Sequence, residues 1–592
     1  PYDVRDCDAL PCPKARIGMI GDFILPNPFV NEIVQQLAQA SGVSSEDFVP
    51  LIEVPPNPDL GDYALPCFSL AKTLRKAPNQ IALELAEQLK FGDRISEVRA
   101  AGPYINFFVH PSSFVEEVLS KVLAQSRKFG RTDVGTGKTI VIDFSHPNVA
   151  KPFGIHHLRS TVIGNALRNI FRALGYEVVG VNHLGDWGSQ FAKLIVAWKR
   201  WGEGELTEEA INIQSLLDLY VRIHEEIEDD PAVEEEARNW FRRLEDGDSE
   251  ATRMWQVCVN VSFKEFNRVY EMLGITFESV AGESFYQDKM PATLKRLEEM
   301  GLTRISEGAT IVDLSEWDMS PFMALRSDDA TLYATRDLAA VEYRQETYGF
   351  HQMLYVVDVA QSLHFRQLFK VLELMGYEWG ERCAHVVFGR LRFKDGAMST
   401  RRGQIIFLED VLNKAVDLTR EIIEEKNPDL PDKEQVARDV GIGAVIFADL
   451  DSRRVRDVVF DWDEVLNFNG ETGPYVQYTH ARYRSVLRNF GQALPPSDVD
   501  FSLLTEPETL AVVKCLEQFP SQIENAAEEY EPSLIATYLI DLCTVANRFY
   551  NAHRVISEEA PLTSARVALV YAITEVLAAG LDLLGMKAPE QM

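Results

Sequence analysis

The sequence predicts a multidomain α/β protein that ends in an all-helical part. Its 592 residues exceed what one hydrophobic core organises, because domains usually contain about 100–200 residues. From residue 139 onward, short apolar strands alternate with amphipathic helices, a pattern typical of a parallel sheet covered by helices. From residue 436 onward the pattern is helical almost throughout, which indicates a separate helical domain.

The first part of the chain predicts a tail followed by a small α+β domain. Residues 1–18 are expected to be a tail, and Met19 is a candidate start of the natural protein. Within residues 19–125, FVNEIVQQLAQA and PNQIALELAEQL have helical spacing, whereas YINFFV alternates and is rich in strand-forming residues.

Residues 126–435 predict a Rossmann-like domain. TIVIDF (139–144) and EVVGV (177–181) read as strands, and the apolar positions between them follow the helical period until Gly175 ends the helix. A β-α-β unit of this kind implies parallel pairing in a doubly wound sheet. Residues 190–300 are mostly helical and acidic and are expected to be insertions. The alternation then returns with ATIVDL, TLYATRD, MLYVVD and AHVVFG.

Residues 436–592 predict a helical bundle, because two apolar stripes recur at helical spacing. One stripe comprises Leu534, Tyr538, Leu542, Val545 and Phe549, and the other comprises Val570, Ile573, Leu577, Leu581 and Leu584. Both are expected to face the core of the bundle rather than a partner.

The composition argues against several classes of protein. The net charge is −31, which counts against a nucleic-acid partner unless basic residues form a local surface. Much of the acid lies in residues 203–250, including EEIEDDPAVEEEA, which we expect to be a solvated helical face. No apolar run approaches the roughly 20 residues that span a bilayer, and the start lacks the apolar segment of a signal peptide, so no membrane partner is expected.

The cysteines predict a reducing, cytoplasmic environment. They number seven, are scattered along the chain and are never spaced as C-x-x-C. This usage indicates neither a disulfide framework nor a zinc knuckle.

The first motif with chemical content is SHPNVAKPFGIHHLRSTVIGN, residues 145–165. It follows the first strand of the β-α-β unit and opens the helix at the carboxyl edge of the sheet, where open α/β folds bind ligands. Backbone amides at a helix start face phosphates, and Lys151, His156 and His157 add donors in the same turn. Such a cluster could hold a triphosphate and neutralise charge that develops on the α-phosphoryl group.

Two other interpretations of this region are weaker. A zinc site would need Asp143 or His146 to converge with the paired histidines, and their spacing matches no standard zinc motif. VGTGKT (134–139) resembles a phosphate-binding loop, but Thr132 stands where the first glycine belongs and the segment precedes its strand.

The second motif is GAMSTRRGQIIFLEDVL, residues 396–412, a glycine-flanked basic loop between a strand and a helix. Arg401 and Arg402 could clamp phosphates as the loop closes. By itself, this segment is more typical of an ordinary turn.

Together these segments resemble the arginyl-tRNA synthetases over residues 27–592. The first motif is similar to the family's form of the class I HIGH signature, with a leading S-x-P-N and a trailing H-L-R-S-T, and the second is similar to the KMSKS loop. Further family-specific matches are TLYATRD (331–337), YVVDVAQSLH (355–364), FDWDEVLNFNGETGPYVQYTHAR (460–482) and the ending LLGMKAPEQM. The resemblance implies an arginine–tRNA ligase that uses ATP and Mg²⁺ to make arginyl-adenylate and then charges the 3′ end of tRNA(Arg).

The resemblance also implies residue roles. The catalytic residues would be Lys151, His156, His157, Ser399 and Arg401. The ATP-binding residues would be Pro147, Gly154, His156, His157, Met398, Ser399 and Thr400. The arginine-binding residues would be Asp143, Asn148, Tyr333, Asp337 and Gln361. The tRNA would contact Tyr104 and Asn106 at its outer corner and Asn547, Tyr550 and Met592 at the anticodon. No protein-bound metal is implied, and a monomer is expected.

The chain departs from the family pattern at two places. Gly154 stands where the first signature has its first histidine, and His156 stands where it has its glycine, so His156 is expected to replace the missing histidine from a shifted position. Ala397 and Thr400 stand where class I enzymes usually carry lysines. Arginyl enzymes commonly lack the second of these lysines, and a lysine just before the first signature, here Lys151, is thought to replace it.

Recognition of arginine also has a physical argument. A guanidinium is planar and permanently charged, so a carboxylate that accepts two parallel N–H bonds recognises it best. By the resemblance Asp337 is that carboxylate, with Tyr333 and Gln361 beside it, while Asn148 and Asp143 hold the α-amino end. From the residues alone, Asp337 could equally be a helix-start carboxylate.

The sequence alone leaves other interpretations of the function open. Another class I synthetase, for cysteine or glutamine, would be separated by pyrophosphate exchange with tRNA present. A synthetase-like protein that binds tRNA without charging it would be consistent with Gly154 and the acidic charge. Tyr550, like its neighbour Phe549, could simply belong to the helical core.

Overall fold

The fold is described from a computed structural model. The described residues are 28–55, 57, 60–92, 94–202, 211–326, 333–394 and 406–592. The chain divides into two compact units, of which the first comprises Pro1–Gly130, Arg482–Gln522 and Asp541–Ala579, and the second comprises Arg131–Ala481, Ile523–Ile540 and Gly580–Met592. The predicted tail, residues 1–18, lies outside the described residues, as does most of the second motif, residues 396–405.

The N-terminal part of the first unit is a three-stranded antiparallel sheet with helices packed on it. Its elements are α1 (Pro28–Ser41), α2 (Ser45–Phe48), β1 (Tyr63–Pro66), α3 (Leu70–Leu74), α4 (Pro78–Gln88), β2 (Ile95–Ala101), β3 (Tyr104–Val109) and α5 (Pro111–Gln125). The strand order is β1-β3-β2, so the predicted YINFFV strand is central. Its alternation buries Ile105, Phe107 and Val109, and the predicted α+β character of this part is confirmed.

The second unit is built on a parallel sheet. Its strands are β4 (Thr139–Asp143), β5 (Glu177–Asn182), β6 (Ser279–Val280), β7 (Thr303–Ser306), β8 (Ala309–Val312), β9 (Phe322–Leu325), β10 (Gln352–Asp358), β11 (Cys383–Phe388), β12 (Leu391–Phe393) and β13 (Val458–Phe460). Five of them form the parallel sheet, in the order β11-β10-β4-β5-β6. β4 has its successor β5 on one side and the much later β10 on the other, so the strand order reverses beside β4. The predicted Rossmann-like sheet is confirmed.

The sheet is accompanied by helices. They are α6 (Leu158–Ala173), α7 (Ser189–Ala197), α8 (Ile213–Asp229), α9 (Pro231–Glu245), α10 (Ser249–Leu273), α11 (Met290–Glu299), α12 (Tyr333–Tyr348), α13 (Ser362–Leu374), α14 (Leu408–Lys426), α15 (Lys433–Leu450) and α16 (Trp462–Val465). α6 packs on β4, β5 and β10 and ends before Gly175, whose φ of 81° suits a residue without a Cβ.

The predicted helical insertion corresponds to α7–α11. Side-chain caps explain where three of these helices begin, because Asn212, Asp230 and Asp248 accept hydrogen bonds from backbone amides of the first turns of α8, α9 and α10. In the acidic run 225–237 only Val233 and Ala237 are buried, so the predicted solvated face is confirmed.

The chain beyond residue 435 contributes to the second unit. β13 pairs in parallel with β12, which directly precedes the second motif. The remaining strands, β7, β8 and β9, form a small antiparallel sheet. We keep the boundary predicted near 435 as a proposal.

The C-terminal part is all-helical, as predicted. Its helices are α17 (Gly473–Phe490), α18 (Pro507–Glu517), α19 (Phe519–Glu528), α20 (Ser533–Ala552) and α21 (Ala560–Leu583). The α21 stripe is fully buried, whereas Leu534 and Val545 of the α20 stripe are only partly buried. α21 is long and apolar enough to cross a membrane, but 83% of its apolar segment is buried within the protein, which is typical of a core helix.

Candidate active site

The candidate ligand-binding residues lie at the carboxyl edge of the parallel sheet. Asp143 ends β4, His183 directly follows β5, and Glu283 lies shortly after β6. Asp337 lies on α12, before β10, and His364 lies on α13, after β10. Ligands of open α/β sheets bind at this edge, beside the strand where the order reverses.

The loop between β4 and α6 carries the first motif, and hydrogen bonds hold its backbone. Ser145 and His146 have left-handed φ angles of 82° and 54°. Residues other than glycine rarely adopt such angles, and those that do often occur at functional sites. The amide of Ser145 donates to Ser160 Oγ (2.9 Å), and the amide of Ala150 donates to Ser262 Oγ (2.8 Å). The loop is therefore built as a defined turn.

The end of the second motif pairs with the first motif. The Ile155 amide donates to the Ile406 carbonyl (3.0 Å), and the Leu408 amide donates to the Phe153 carbonyl (2.8 Å). The two segments predicted to bind one nucleotide are thus adjacent. Residues of this motif that lie outside the described residues are Ala397, Met398, Ser399, Thr400, Arg401 and Arg402.

The paired histidines lie at the start of α6. His156 is exposed and His157 is half-buried, and their ring centroids are 4.0 Å apart. Burial and the nearby Lys151 charge lower the pKa of His156. Burial, followed by the neighbouring His156, lowers the pKa of His157 well below its usual range. Both rings are therefore neutral at neutral pH and carry one N–H each, and the His157 ring is hydrogen-bonded to the backbone of Ser145.

Asp337 lies between two histidines. His364 Nε2 donates to its Oδ2 at 2.6 Å, and His183 Nε2 lies 3.9 Å from its Oδ1. Burial would raise the pKa of Asp337, but the His364 hydrogen bond and the charges of His364, His183 and Arg344 lower it overall. The carboxylate is ionised and its side chain is 25% exposed. The first turn of α12 contains no acidic residue, so the alternative of a helix-start carboxylate is wrong.

Asp143 lies deeper in the site. Its Oδ2 pairs with Arg344 Nη1 (2.7 Å), and its Oδ1 accepts from His146 Nε2 (2.7 Å). Burial opposes ionisation of Asp143, but the Arg344 charge, acting together with His146 and His183, holds the pKa of the carboxyl far below its usual range. Arg344 is itself fully buried, so this ion pair forms the floor of the site.

The remaining sequence-predicted residues border this region. Asn148 is half-buried and packs against Gly185, where a Cβ would lie 2.4 Å from its Oδ1, so the close approach requires glycine. Pro147 is buried in the same loop. Gln361 is exposed at the start of α13, and Tyr333 is the first residue of α12.

Sequence reasoning did not assign roles to four of the residues found here. His364 lies within a family-like segment, but its contact with Asp337 is not visible in the sequence. His183 and Arg344 had no signal, nor did Glu283, which pairs with Arg336 at 3.0 Å. Burial, together with Asp337 and Asp186, raises the pKa of Glu283 to about 7 despite the opposing Arg336 charge.

The two outer-corner candidates lie on β3. Tyr104 is half-buried and makes an edge contact with the exposed Phe68, with ring centroids 5.8 Å apart. Asn106, two residues further along this central strand, is only 5% exposed.

The anticodon candidates lie in the C-terminal part. Asn547 and Tyr550 are half-buried on α20, and the Arg482 guanidinium stacks 3.9 Å from the centroid of the Tyr550 ring. The terminal Met592 packs partly buried against an apolar cluster of α14 and α15. Phe549 is fully buried, so the core interpretation is confirmed for Phe549 alone.

The zinc interpretation finds no geometric support in the described part of the chain. Among those residues, no group of three or more His, Cys, Asp or Glu side chains could hold a metal ion. Asp143 and His146, one of which that interpretation required beside the paired histidines, are hydrogen-bonded to each other.

Comparison with family models covers nearly the whole chain. Residues 118–462 match the class I tRNA synthetase (R) catalytic domain. Residues 476–592 match the DALR anticodon binding domain, and residues 29–109 match the arginyl tRNA synthetase N terminal domain.

Curated relatives agree with these matches. The chain is 49% identical to the arginine–tRNA ligase of Halothermothrix orenii, over 95% of this chain and 100% of that protein. It is 50% identical to the arginine–tRNA ligase of Clostridioides difficile, over 93% of this chain and 97% of that protein. The alternative of a cysteine or glutamine synthetase is therefore wrong.

Solved structures have the same fold. Thermus thermophilus arginyl-tRNA synthetase matches with a TM-score of 0.78 and 28% identity, over 96% of this chain and 100% of that one. The Plasmodium falciparum enzyme matches with a TM-score of 0.78 over 95% and 99%, and at 21% identity that likeness shows the fold alone. The chain belongs to the arginyl-tRNA synthetases, a family of class I aminoacyl-tRNA synthetases.

Proposed function

We propose that this chain activates L-arginine with ATP, forming arginyl-adenylate and pyrophosphate, and then transfers the arginyl group to the 3′-terminal ribose of tRNA(Arg). The family supports the overall reaction. One observation carries the amino-acid side of the proposal: an ionised, partly exposed Asp337 lies between two histidines at the carboxyl edge of the sheet.

Asp337 is the proposed receptor of the guanidinium. His364 binds Oδ2 and thereby orients the carboxylate, while Oδ1 lies 3.9 Å from His183 Nε2. A planar guanidinium with parallel N–H donors suits such an oriented carboxylate better than the single ammonium of lysine does. Tyr333 and Gln361, which begin neighbouring helices, are proposed to border the pocket.

Asn148 and Asp143 are proposed to hold the α-amino end of the substrate. Both oxygens of Asp143 already accept from Arg344 and His146. A direct hydrogen bond to the ammonium therefore falls first to Asn148, while Asp143 contributes its negative charge from beneath.

The first motif is proposed to bind the triphosphate. In the first step an arginine carboxylate oxygen attacks the α-phosphorus of ATP and pyrophosphate leaves, so the protein needs to orient the groups and stabilise charge. Lys151, His156 and His157 would supply donors, and the negative phosphates would favour the protonated form of both histidines. Pro147 and Gly154 would border the adenosine.

The second loop is proposed to close on the same nucleotide. Its residues in this role are Met398, Ser399, Thr400 and Arg401. The pairing of Ile155 with Ile406 supports this, since it holds the end of that loop against the first motif.

Mg²⁺ is expected to enter with ATP. It prefers oxygen ligands, keeps several waters and is commonly held through substrate phosphates with few protein ligands.

The tRNA is proposed to engage three parts of the chain. Residues 19–125 would meet its outer corner, with Tyr104 the more accessible candidate and Asn106 almost fully buried two residues further along β3. Residues 126–435 would receive the 3′ end, and residues 436–592 would read the anticodon through Asn547, Tyr550 and Met592. We expect a cytoplasmic monomer that has no membrane partner.

Pyrophosphate exchange tests the proposal. The resemblance to this family implies that activation needs bound tRNA. The purified full chain should therefore form labelled ATP from labelled pyrophosphate only when both arginine and tRNA(Arg) are present. Cysteine and glutamine serve as matched amino-acid controls. Binding of tRNA(Arg) without any exchange would favour the non-catalytic alternative instead.

A further inference from the structure

The lysine of the first motif contacts the helical insertion. Lys151 Nζ lies 5.1 Å from the centroid of the Tyr220 ring, and both side chains are half-buried. Tyr220 belongs to α8, which is distant from the motif in sequence. Within the described ranges, no carboxylate forms an ion pair with Lys151.

An aromatic ring suits the environment of a lysine that must bind phosphate. A carboxylate partner would offset the charge of the ammonium and compete with phosphate oxygens for its donors. A ring face within about 6 Å attracts the cation through its quadrupole but accepts none of its N–H donors in a strong hydrogen bond. The ammonium is thereby held while its donors remain available for a ligand.

We propose that Tyr220 is a positioning residue for ATP activation, which holds the Lys151 ammonium over its ring and directs it to the triphosphate. This inference rests on the proposed role of Lys151. It assigns part of the nucleotide site to the helical insertion rather than to the Rossmann-like core.

The Tyr220 ring is itself held in place. The His224 ring lies 4.2 Å away, centroid to centroid, and His224 Nδ1 is 2.9 Å from the Tyr220 carbonyl oxygen. Leu216 and Ile223, which lie one turn before and one turn after Tyr220 on the same face of α8, are fully buried and anchor the helix. The ring is therefore presented by a fixed helix and not by a loose side chain.

The insertion also holds the backbone on both sides of Lys151. From α10, Ser262 Oγ accepts from the Ala150 amide at 2.8 Å, and Glu265 Oε1 accepts from the Phe153 amide at 2.9 Å. The insertion thus contacts the motif through backbone and side chain together, which is the arrangement a positioning role requires.

The experiment measures kcat and the KM for ATP in tRNA-dependent pyrophosphate exchange by the full chain. Tyr220→Leu should lower kcat/KM for ATP about fivefold, whereas Tyr220→Phe, which keeps the ring, should retain most of the parent value. Tyr220→Gln, which also removes the ring but has a polar side chain, should lower kcat/KM for ATP by the same factor and replaces Tyr220→Leu if that variant folds poorly. Thermal unfolding of each variant reports folding separately.

Arg222→Met is the matched control. Arg222 lies on the same helix and stacks on Trp201 at 4.1 Å, a cation–π pair that does not involve the motif. Its loss should leave the kinetics unchanged. An equal loss in Arg222→Met and Tyr220→Leu would mean that α8 has merely loosened, and would overturn the proposal.

A double-mutant cycle with Lys151→Ala completes the test. If Tyr220 acts through Lys151, Tyr220→Leu should cost nothing further in the Lys151→Ala background. Independent, multiplying losses would overturn the inference, as would a Tyr220→Leu variant with parent kinetics. A Lys151→Ala enzyme with parent kinetics would refute the proposed function of Lys151 instead.

Discussion

Asp337→Asn should nearly abolish the use of arginine at ordinary concentrations. The new amide oxygen can accept from His364 Nε2, as Oδ2 does in the parent at 2.6 Å. The amide NH₂ of the asparagine then faces the N–H groups of the guanidinium. Because both are hydrogen-bond donors, no hydrogen bond forms between them, and the negative charge of the carboxylate is also lost. Truncating one partner of a buried, hydrogen-bonded charge pair costs about 2–5 kcal/mol. Because the Asp337 side chain is 25% exposed, we expect about 2–3 kcal/mol, a 30- to 150-fold higher KM for arginine.

The assay is steady-state pyrophosphate exchange with saturating ATP and tRNA(Arg), in which only the arginine concentration varies. The KM for ATP should stay near the parent value, because the first motif is untouched. Glu346→Gln is the matched control, since it makes the same charge change on an exposed side chain of α12. An arginine KM near that of the parent in Asp337→Asn would refute the pocket.

Three further predictions concern the neighbouring groups. Lys151→Ala should slow adenylate formation in single-turnover kinetics but leave tRNA binding unchanged. A variant that forms adenylate at the rate of the parent would show that Lys151 does not replace the charge missing at Thr400. His156→Ala and His156→Gly should each lower the activation rate about 10²–10³-fold, as loss of a preorganised donor does. The double change Gly154→His with His156→Gly should restore the rate, since Gly154 has ordinary extended angles of −80° and 158° that histidine can adopt. A fully active His156→Gly would make His156 a bystander. Glu283, whose pKa rises from 4.5 to about 7 on folding, binds a proton more readily in the folded state, so its contribution to stability is present below pH 4.5 and is lost as the pH rises toward 7. The thermal unfolding midpoint of Glu283→Gln should therefore fall less than that of the parent between these pH values. Midpoints that fall equally with pH in both proteins would contradict the shifted pKa.

Much of the fold was predictable because its signals are local. The β-α-β unit follows from two short apolar runs around one amphipathic segment, and the helix stop follows from Gly175, which has a left-handed φ in the structure. The insertion was predictable from helical spacing and acidic composition, because the charged face of a helix is solvated and requires no contact with another segment of the chain.

The site was only partly predictable, because its contacts join distant segments. The sequence left Asp337 undecided between a helix start and a substrate pocket, and the His364 contact, together with the absence of acid from the first turn of α12, decides against the helix start. In the sequence Arg344 is an ordinary arginine of a helix, whereas in the structure it is buried in an ion pair with Asp143. The contact of Lys151 with Tyr220 likewise depends on how the insertion folds back onto the motif.

Charging of tRNA(Arg) by the purified full chain is the most direct test of the proposed function. With ATP, Mg²⁺ and labelled arginine, label should accumulate on the 3′ end of tRNA(Arg), and unlabelled arginine, but not lysine, should compete with it. Tight binding of tRNA(Arg) without any arginylation, by a protein whose thermal unfolding shows that it is folded, would contradict the proposed ligase activity.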